Sequence, residues 1–155
     1  MLSPSTSTRP VLETSPVRRA EFNQELRADT RYSEPLISII LLNYNGAAWL
    51  DRCLASLTAQ TIAAEIEIIV ADNASTDHSD LLAIDLMRHR PDWRVIRHSE
   101  NLGYCGGNNE AVRSARGQYF MFLNTDTWLE PACLESLVSE ARATSAVAAT
   151  PLVVG

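Results

Sequence analysis

The pattern that most limits how this chain can fold is an alternation. From Ile37 onward, short β-branched runs ("ISIILLN", "EIEIIVA", "WRVIRH", "QYFMFLN" and finally "SAVAATPLVV") are separated by stretches with helical spacing. Runs that are apolar throughout leave no face for water, so as strands they must be covered on both sides. With helices between them they predict an α/β fold: a mostly parallel, Rossmann-like sheet with helices on both faces.

The helices show the same logic. Leu50, Cys53, Leu54 and Leu57 follow the i, i+3, i+4, i+7 spacing of one buried face. Leu81, Ile84 and Met87 mark a second helix, with Asp77 or Ser79 placed to cap it and Asp80 to favour its dipole. A third is expected from about Gly107 to Ala115. A fourth runs from Pro131 to Arg142, with Leu134, Leu137 and Val138 as its stripe.

Each strand then runs into polar residues: Asn43-Tyr44-Asn45-Gly46, Asp72-Asn73-Ala74-Ser75-Thr76-Asp77, Glu100-Asn101, and Asn124-Thr125-Asp126. Carboxyl ends of parallel strands share one edge, so these clusters should converge on one crevice, where ligands bind in such sheets. Each cluster alone is ordinary turn chemistry. The fourth asks for more, because its strand is expected to be central and dry and a carboxylate there needs a partner. Asp126, with an amide oxygen at Asn124, offers hard oxygen ligands to Mg2+ or Mn2+, which completes its shell from phosphates and water.

Composition narrows the ligand. The 155 residues are 46% hydrophobic, enough for about one domain. Net charge is −6 and lysine is absent; up to Pro35 five Arg balance five acids, while beyond it eight Arg face fourteen acids. That excess argues against nucleic acid as a partner. A phosphorylated ligand stays compatible if a cation or backbone N–H groups offset the like charges. The loop "NLGYCGGNNEA", Asn101 to Ala111, could turn such N–H groups toward an anion. Gly103, Gly106 and Gly107 lack the dinucleotide spacing, and a chain without lysine has no P-loop.

Residues 1–34 read as a disordered or partly helical leader, rich in Ser, Thr and Pro at its start, before a domain over 35–155. Cys53, Cys105 and Cys133 form no metal or redox spacing and suit reduced thiols in the cytoplasm. No apolar run reaches the roughly 18 residues of a membrane span. His78, His89 and His98 read as solvated or capping residues.

Taken in order, "SIILLNYNG", "IEIIVADNASTD", "NLGYCGGNNEAVRSARG" and "YFMFLNTDT" resemble the donor-binding half of a family 2 glycosyltransferase with the GT-A fold, over about residues 36–155. The Asn-x-Asp form and the "NLGYCGGNN" loop are most similar to its rhamnosyltransferase-like branch. The resemblance implies inverting, metal-assisted transfer of a sugar from a nucleoside diphosphate sugar to a hydroxyl of a saccharide or lipid-linked acceptor, as in polysaccharide biosynthesis. It implies donor contacts from Asn43, Tyr44, Asn45, Asp72, Asn73, Ser75, Asn101, Gly106, Asn109, Asn124, Thr125 and Asp126. The family's Asp-x-Asp falls on Asn124-Thr125-Asp126, which makes Asp126 the principal ligand of Mg2+ or Mn2+ and Asn124 its companion. The general base is expected beyond Gly155, since the chain stops after about the fifth strand of that fold. Such a stop predicts an exposed sheet edge open to self-association. A peripheral contact with the inner face of the membrane is compatible with a lipid-linked acceptor. The alternatives are a non-catalytic nucleotide-sugar-binding module or fragment, and a nucleotidyltransferase, whose basic glycine-rich loop after the first strand has no counterpart in "NYNGAAWLDR".

Overall fold

A computed structural model describes residues 34–152, so the leader expected over 1–34 lies almost wholly outside the described residues. Four strands, β1 (Ile37–Asn43), β2 (Ile66–Asp72), β3 (Arg94–Arg97) and β4 (Tyr119–Asn124), alternate with four helices, α1 (Ala47–Thr58), α2 (Ser79–Met87), α3 (Gly103–Val112) and α4 (Cys133–Thr144). The sheet order is β3-β2-β1-β4, and every neighbouring pair is parallel. The expected architecture is therefore present: a parallel sheet with helices on both faces.

Strand alternation builds two cores. Ile37, Ile39 and Leu41 join Ile66, Ile68 and Val70 under Leu50, Cys53, Leu54 and Leu57 of α1, Ala83 and Met87 of α2, and Leu134 and Val138 of α4. The other face is smaller: Ile40, Ile69 and Ala71 pack on Ala111 of α3. All four residues read as the buried stripe of α1 are buried. A Leu57→Ala substitution, at a fully buried position, should cost about 3 kcal/mol in urea unfolding, because the cavity cannot close in a parallel core.

Four local expectations fail. β4 is an edge strand here, not a central dry one: Phe120 and Phe122 stand about half exposed on the face where α3 lies over β1 and β2. "SAVAATPLVV" forms no strand within residues 145–152: Ser145 sits at φ 53°, and the alanines that follow have little strand preference. On α2, Leu81 and Ile84 are exposed, while Ser79, Asp80, Ala83 and Met87 are buried. That helix is rotated because its polar residues have partners inside, Asp80 an ion pair with Arg97 at 2.6 Å and Ser79 a hydrogen bond from Asn43. Finally, α3 begins four residues before the expected Gly107, so most of the glycine-rich stretch is helix. Gly103, at φ 70°, supplies the left-handed residue that lets the chain turn into it.

At the amino end of the sheet lies a feature hidden in an apolar run. Glu67, fully buried in β2, accepts from the Ser38 hydroxyl (2.6 Å), the Arg116 amide (2.6 Å) and Nε (3.0 Å), and Arg94 Nη1 (3.0 Å). Burial alone would push its carboxyl up, but these donors outweigh it and hold it below the usual carboxylate range. The Gly117 amide adds a bond to Ser38 Oγ at 2.7 Å, which ties the start of β4 to β1. No described helix is long and apolar enough to cross a membrane.

Candidate functional site

Register places the polar strand ends side by side. Asn43 stands opposite Asp72, Leu42 opposite Asn124, and Asp72 opposite Arg97, so the loops after β1, β2 and β4 leave the sheet at one level. The chain runs outward from β1 to β2 and β3 on one side and to β4 on the other. Between β1 and β4 the direction of winding reverses, which is where an open α/β sheet leaves a crevice at its carboxyl edge.

The floor is a buried hydrogen-bonded lattice. Asn43 Nδ2 donates its two hydrogens to Asp72 Oδ1 (2.7 Å) and Ser79 Oγ (2.7 Å), with Ser75 Oγ sharing one of them at 3.2 Å, and the Ser75 amide donates to Asp72 Oδ2 (3.0 Å). Because an ionised carboxylate only accepts, Asp72 fixes which way the Asn43 amide points. Asn43 Oδ1 is then left buried and without a partner among the described residues. Asn45 turns the next corner at φ 54°, its Oδ1 accepting the Thr76 amide at 2.8 Å and its own amide donating to Ser75 Oγ at 2.9 Å. Ala74 and His78 are also left-handed, both at φ 63°. Such conformations cost roughly 1–2 kcal/mol each away from glycine, so the side-chain bonds between the loops must hold them.

Asp77 couples α1 to α2. Its two oxygens take the Ser79 amide (3.0 Å) and the Ala47 amide (2.9 Å), so it does satisfy the first turn of α2, although His78 occupies the nominal cap. Burial opposes ionisation there, but the Ser79 hydroxyl and these amides hold the carboxyl below its usual range. Asn73 performs the equivalent task for the third loop, donating to Asn101 Oδ1 at 2.7 Å and accepting the Leu102 amide at 2.9 Å. The Gly103 amide donates to Asn101 Oδ1 at 2.9 Å. Two backbone N–H groups expected to face an anion are thus already used by side chains.

Above this floor opens a cavity of about 470 Å3, lined from the β1 loop by Tyr44, Asn45 and Gly46, from the β2 and β3 loops by Asn73, Asn101, Gly103 and Tyr104, and from the β4 loop by Asn124, Thr125 and Asp126. Leu42 and Trp49 complete it. Nine residues singled out in the sequence therefore line one cavity: Tyr44, Asn45, Asn73, Asn101, Asn124, Thr125 and Asp126 as expected contacts, Gly46 from the first polar cluster, and Gly103 from the glycine-rich loop. Asn43 and Asp72 lie buried, bonded to each other and to Ser75, and are not among the lining residues. Gly106 and Asn109 lie on α3, outside the lining. Trp49 and Tyr104, both more than half exposed, were missed by sequence reasoning. The available signal at Trp49 was a large aromatic off the buried stripe in the first turn after a polar cluster.

Gly46 is where the β1 and β4 loops press together. A Cβ there would come within 2.3 Å of Asn43 Oδ1 and 2.9 Å of Thr125 Oγ1. Its φ of −98° suits any residue, so the constraint is space alone. Gly46→Ala should push the β4 loop outward and cost about 2 kcal/mol, read as a lowered melting temperature together with weaker ligand binding. Below this contact, Cys53 is fully buried with Sγ 3.9 Å from the Asn124 carbonyl. Burial, then the nearby Asp126 charge, pushes its thiol up to about 12, so it is an inert packing group.

Asp126 is the one carboxylate among the described lining residues, and no group of three or more His, Cys, Asp or Glu that could hold a metal occurs among the described residues. That donor set does not suit a cation caged by protein alone. It does fit one shared with a ligand's phosphates, since Mg2+ is commonly held by one or two carboxylates plus phosphate oxygens and water.

Fold and cavity define an open parallel α/β protein with a polar crevice at its topological switch point. The family 2 glycosyl transferase model matches residues 38–155, and the chain belongs to that family. An uncharacterized glycosyltransferase of Bacillus subtilis (strain 168), EpsJ, is 35% identical over 108 residues, 70% of this chain and 31% of its own length. The S. aureus TarS 1-349 crystal structure in complex with UDP superposes with a TM-score of 0.62 at 26% identity, covering 69% of this chain and 32% of the TarS 1-349 chain. A mannosyltransferase from Pyrobaculum calidifontis, solved with GDP-Man and Mn2+, shares the fold with a TM-score of 0.64 at 22% identity, over 81% of this chain and 42% of its own. The chain thus spans about a third of EpsJ and of TarS 1-349.

Proposed function

We propose that this chain supplies the nucleotide-sugar site of an inverting, metal-assisted glycosyltransferase, which passes a sugar from a nucleoside diphosphate donor to a hydroxyl of a saccharide or lipid-linked acceptor. The observation that carries the reading is the register of β1 against β4, which brings Tyr44, Asn45 and Gly46 to the same 470 Å3 cavity as Asn124, Thr125 and Asp126. A cavity of that size accommodates a small ligand, and its polar groups come from four loops, which suits a ligand with several polar parts such as a base, a ribose and a diphosphate.

In this reading Asp126, with Asn124 beside it, holds the cation, and Tyr44, Asn45, Asn73, Asn101 and Thr125 line the donor. Asn43, Asp72 and Ser75 keep the loops in place from below, while Gly106 and Asn109, on α3 outside the lining, are assigned to the sugar side on the family resemblance alone. When bound, Mg2+ or Mn2+ supplies Lewis-acid stabilisation of the charge that grows on the leaving diphosphate. Mn2+, present with GDP-Man in the mannosyltransferase of the same fold, is the first cation to test. The general base for the acceptor hydroxyl is assigned to no described residue. A narrower reading, the rhamnosyltransferase-like branch, is supported by the Asn124-Thr125-Asp126 form and the Asn101–Asn109 stretch. Three free cysteines support a cytoplasmic site of action, at the inner face of the membrane when the acceptor is lipid-linked.

The presence of one lining carboxylate also suits a second reading, a binding module without transfer activity. Incubating the full chain with Mn2+ and UDP-, GDP- or dTDP-linked radiolabelled sugars, with and without saccharide acceptors, separates the two. Labelled product supports the enzyme, donor binding without product supports the module, and neither binding nor product refutes both.

A further inference from the structure

The described contacts of α1 show how the turn bearing Asp126 is held. Cys53 and Ser56 of α1, and Gln60 two residues past its end, follow one another three and four residues apart. Besides the Cys53 contact to the Asn124 carbonyl, Ser56 Oγ accepts the Leu129 amide at 3.1 Å. Gln60 donates to the Glu130 carbonyl at 2.8 Å and accepts the Leu134 amide at 3.1 Å. These contacts secure the chain on either side of the turn. The turn itself closes with the Thr127 amide donating to the Asn124 carbonyl at 3.2 Å, with Asn124 and Asp126 exposed and Thr125 and Thr127 half-buried.

Above it lies one more contact. Arg52, one residue before Cys53, places its guanidinium carbon 3.3 Å from the centroid of the Trp128 ring. Trp128 is two residues past Asp126, and Arg52 is three past Trp49, which lines the cavity. A planar cation over an indole has both a preferred distance and a preferred orientation, so it restrains the chain at Trp128 more tightly than a simple apolar contact. Trp128 is 45% exposed, too little buried for the core to explain its position.

We propose that Arg52 and Trp128 are a positioning pair that presets the Asn124–Asp126 turn for a cation and the diphosphate it carries, an inference that rests on the donor-site reading above. Neither side chain is among those that line the cavity. They act by keeping the Asp126 carboxylate aimed into the cavity before anything binds, so that binding does not have to order the turn.

The test uses the full chain as wild type, Arg52→Ala, Arg52→Lys, Trp128→Ala, the double Ala variant, and Asp126→Ala. Two quantities are read: amide hydrogen exchange at Thr127 and Leu129, and the dissociation constant of Mn2+ with UDP, GDP or dTDP. Arg52→Ala and Trp128→Ala are each expected to speed exchange at those amides and weaken nucleotide binding about fivefold, with exchange across β1 and β2 unchanged. The double variant should be no weaker than either single one, and Arg52→Lys should recover only part of the affinity, because an ammonium keeps the charge near the ring but loses the planar stack. A merely structural role would lower the melting temperature without touching either readout. Wild-type exchange and affinity in Arg52→Ala, or fully additive losses, would overturn the pair while leaving the donor reading intact if Asp126→Ala still abolishes binding. If no nucleotide binds the wild type, the donor reading falls, and the exchange arm alone decides whether Arg52 and Trp128 hold the turn.

Discussion

Asp126→Ala is expected to erase the Mn2+-dependent stabilisation that the proposed donor site predicts for the chain with UDP, GDP or dTDP. With ligand at one hundred times its dissociation constant, binding to the folded state alone adds about 2.7 kcal/mol, a rise in melting temperature of roughly 5–10 °C for a domain of this size. The variant should rise by less than about 1 °C under the same conditions. The reason is geometric: Asp126 is the one carboxylate among the described lining residues, so a cation that loses it keeps only amide, hydroxyl and phosphate oxygens. Asp126→Asn should behave like Ala, because charge rather than shape is removed. Asn124→Ala should weaken binding less, since Asn124 brings no charge. Without ligand, all three variants should melt close to the wild type, because positions 124 and 126 are exposed. Equal ligand-induced rises in Asp126→Ala and wild type would take Asp126 out of the site.

The second large effect lies at the opposite end of the sheet. Glu67→Ala is expected to cost about 3 kcal/mol, a fall of about 10 °C in melting temperature, because it strips Ser38, the Arg116 amide and two guanidinium groups of one shared acceptor. Arg94 and Arg116 are one-third to one-half exposed and can turn toward water, which keeps the loss at the lower end of the range for broken buried pairs. Glu67→Gln should retain part of the network and lose less. The same site sets an acid dependence. Its folded-state carboxyl titrates below the unfolded value, so the stability it contributes is complete above the unfolded value of about 4.3 and is lost as pH falls through the lower folded one. Urea unfolding between pH 6 and pH 3 should show this loss in the wild type and a shallower slope in Glu67→Gln. Parallel slopes would mean that Glu67 is not the group responsible. Ligand affinity of whatever remains folded should be unchanged, since Glu67 sits at the end of β2 away from the cavity.

How much of this was legible in the residues follows from what each feature depends on. The strands and α1 were readable because their apolar spacing is local, and the convergence of the polar clusters was readable because parallel strands present their carboxyl ends together. What depended on neighbours was not. Whether "QYFMFLN" is central or at an edge is decided by what pairs beside it, and Phe120 and Phe122 look the same in sequence either way. Leu81 and Ile84 carry the stronger apolar signal on α2, yet Asp80 and Ser79 turn inward because Arg97 and Asn43, distant in sequence, meet them there. Glu67 was invisible for the same reason: its donors come from positions 38, 94 and 116. Within the site, Asn43 and Asp72 were read as donor contacts, but the structure shows them bonded to each other in the floor, with Asn45 and Asn73 above lining the cavity. Trp49 was overlooked because it follows the polar cluster by three residues and belongs to no recognised motif.

The central claim is that loops from β1, β2, β3 and β4 form one nucleotide-sugar site at the carboxyl edge of the sheet. Amide hydrogen exchange of the full chain, with and without Mn2+ and whichever of UDP, GDP or dTDP binds it, tests this most directly. The expected result is slowed exchange confined to residues 44–46, 73–76, 101–104 and 124–127. Slowed exchange along Tyr119–Phe122 and α4, with the loop at 124–127 unaffected while nucleotide is bound, would contradict it.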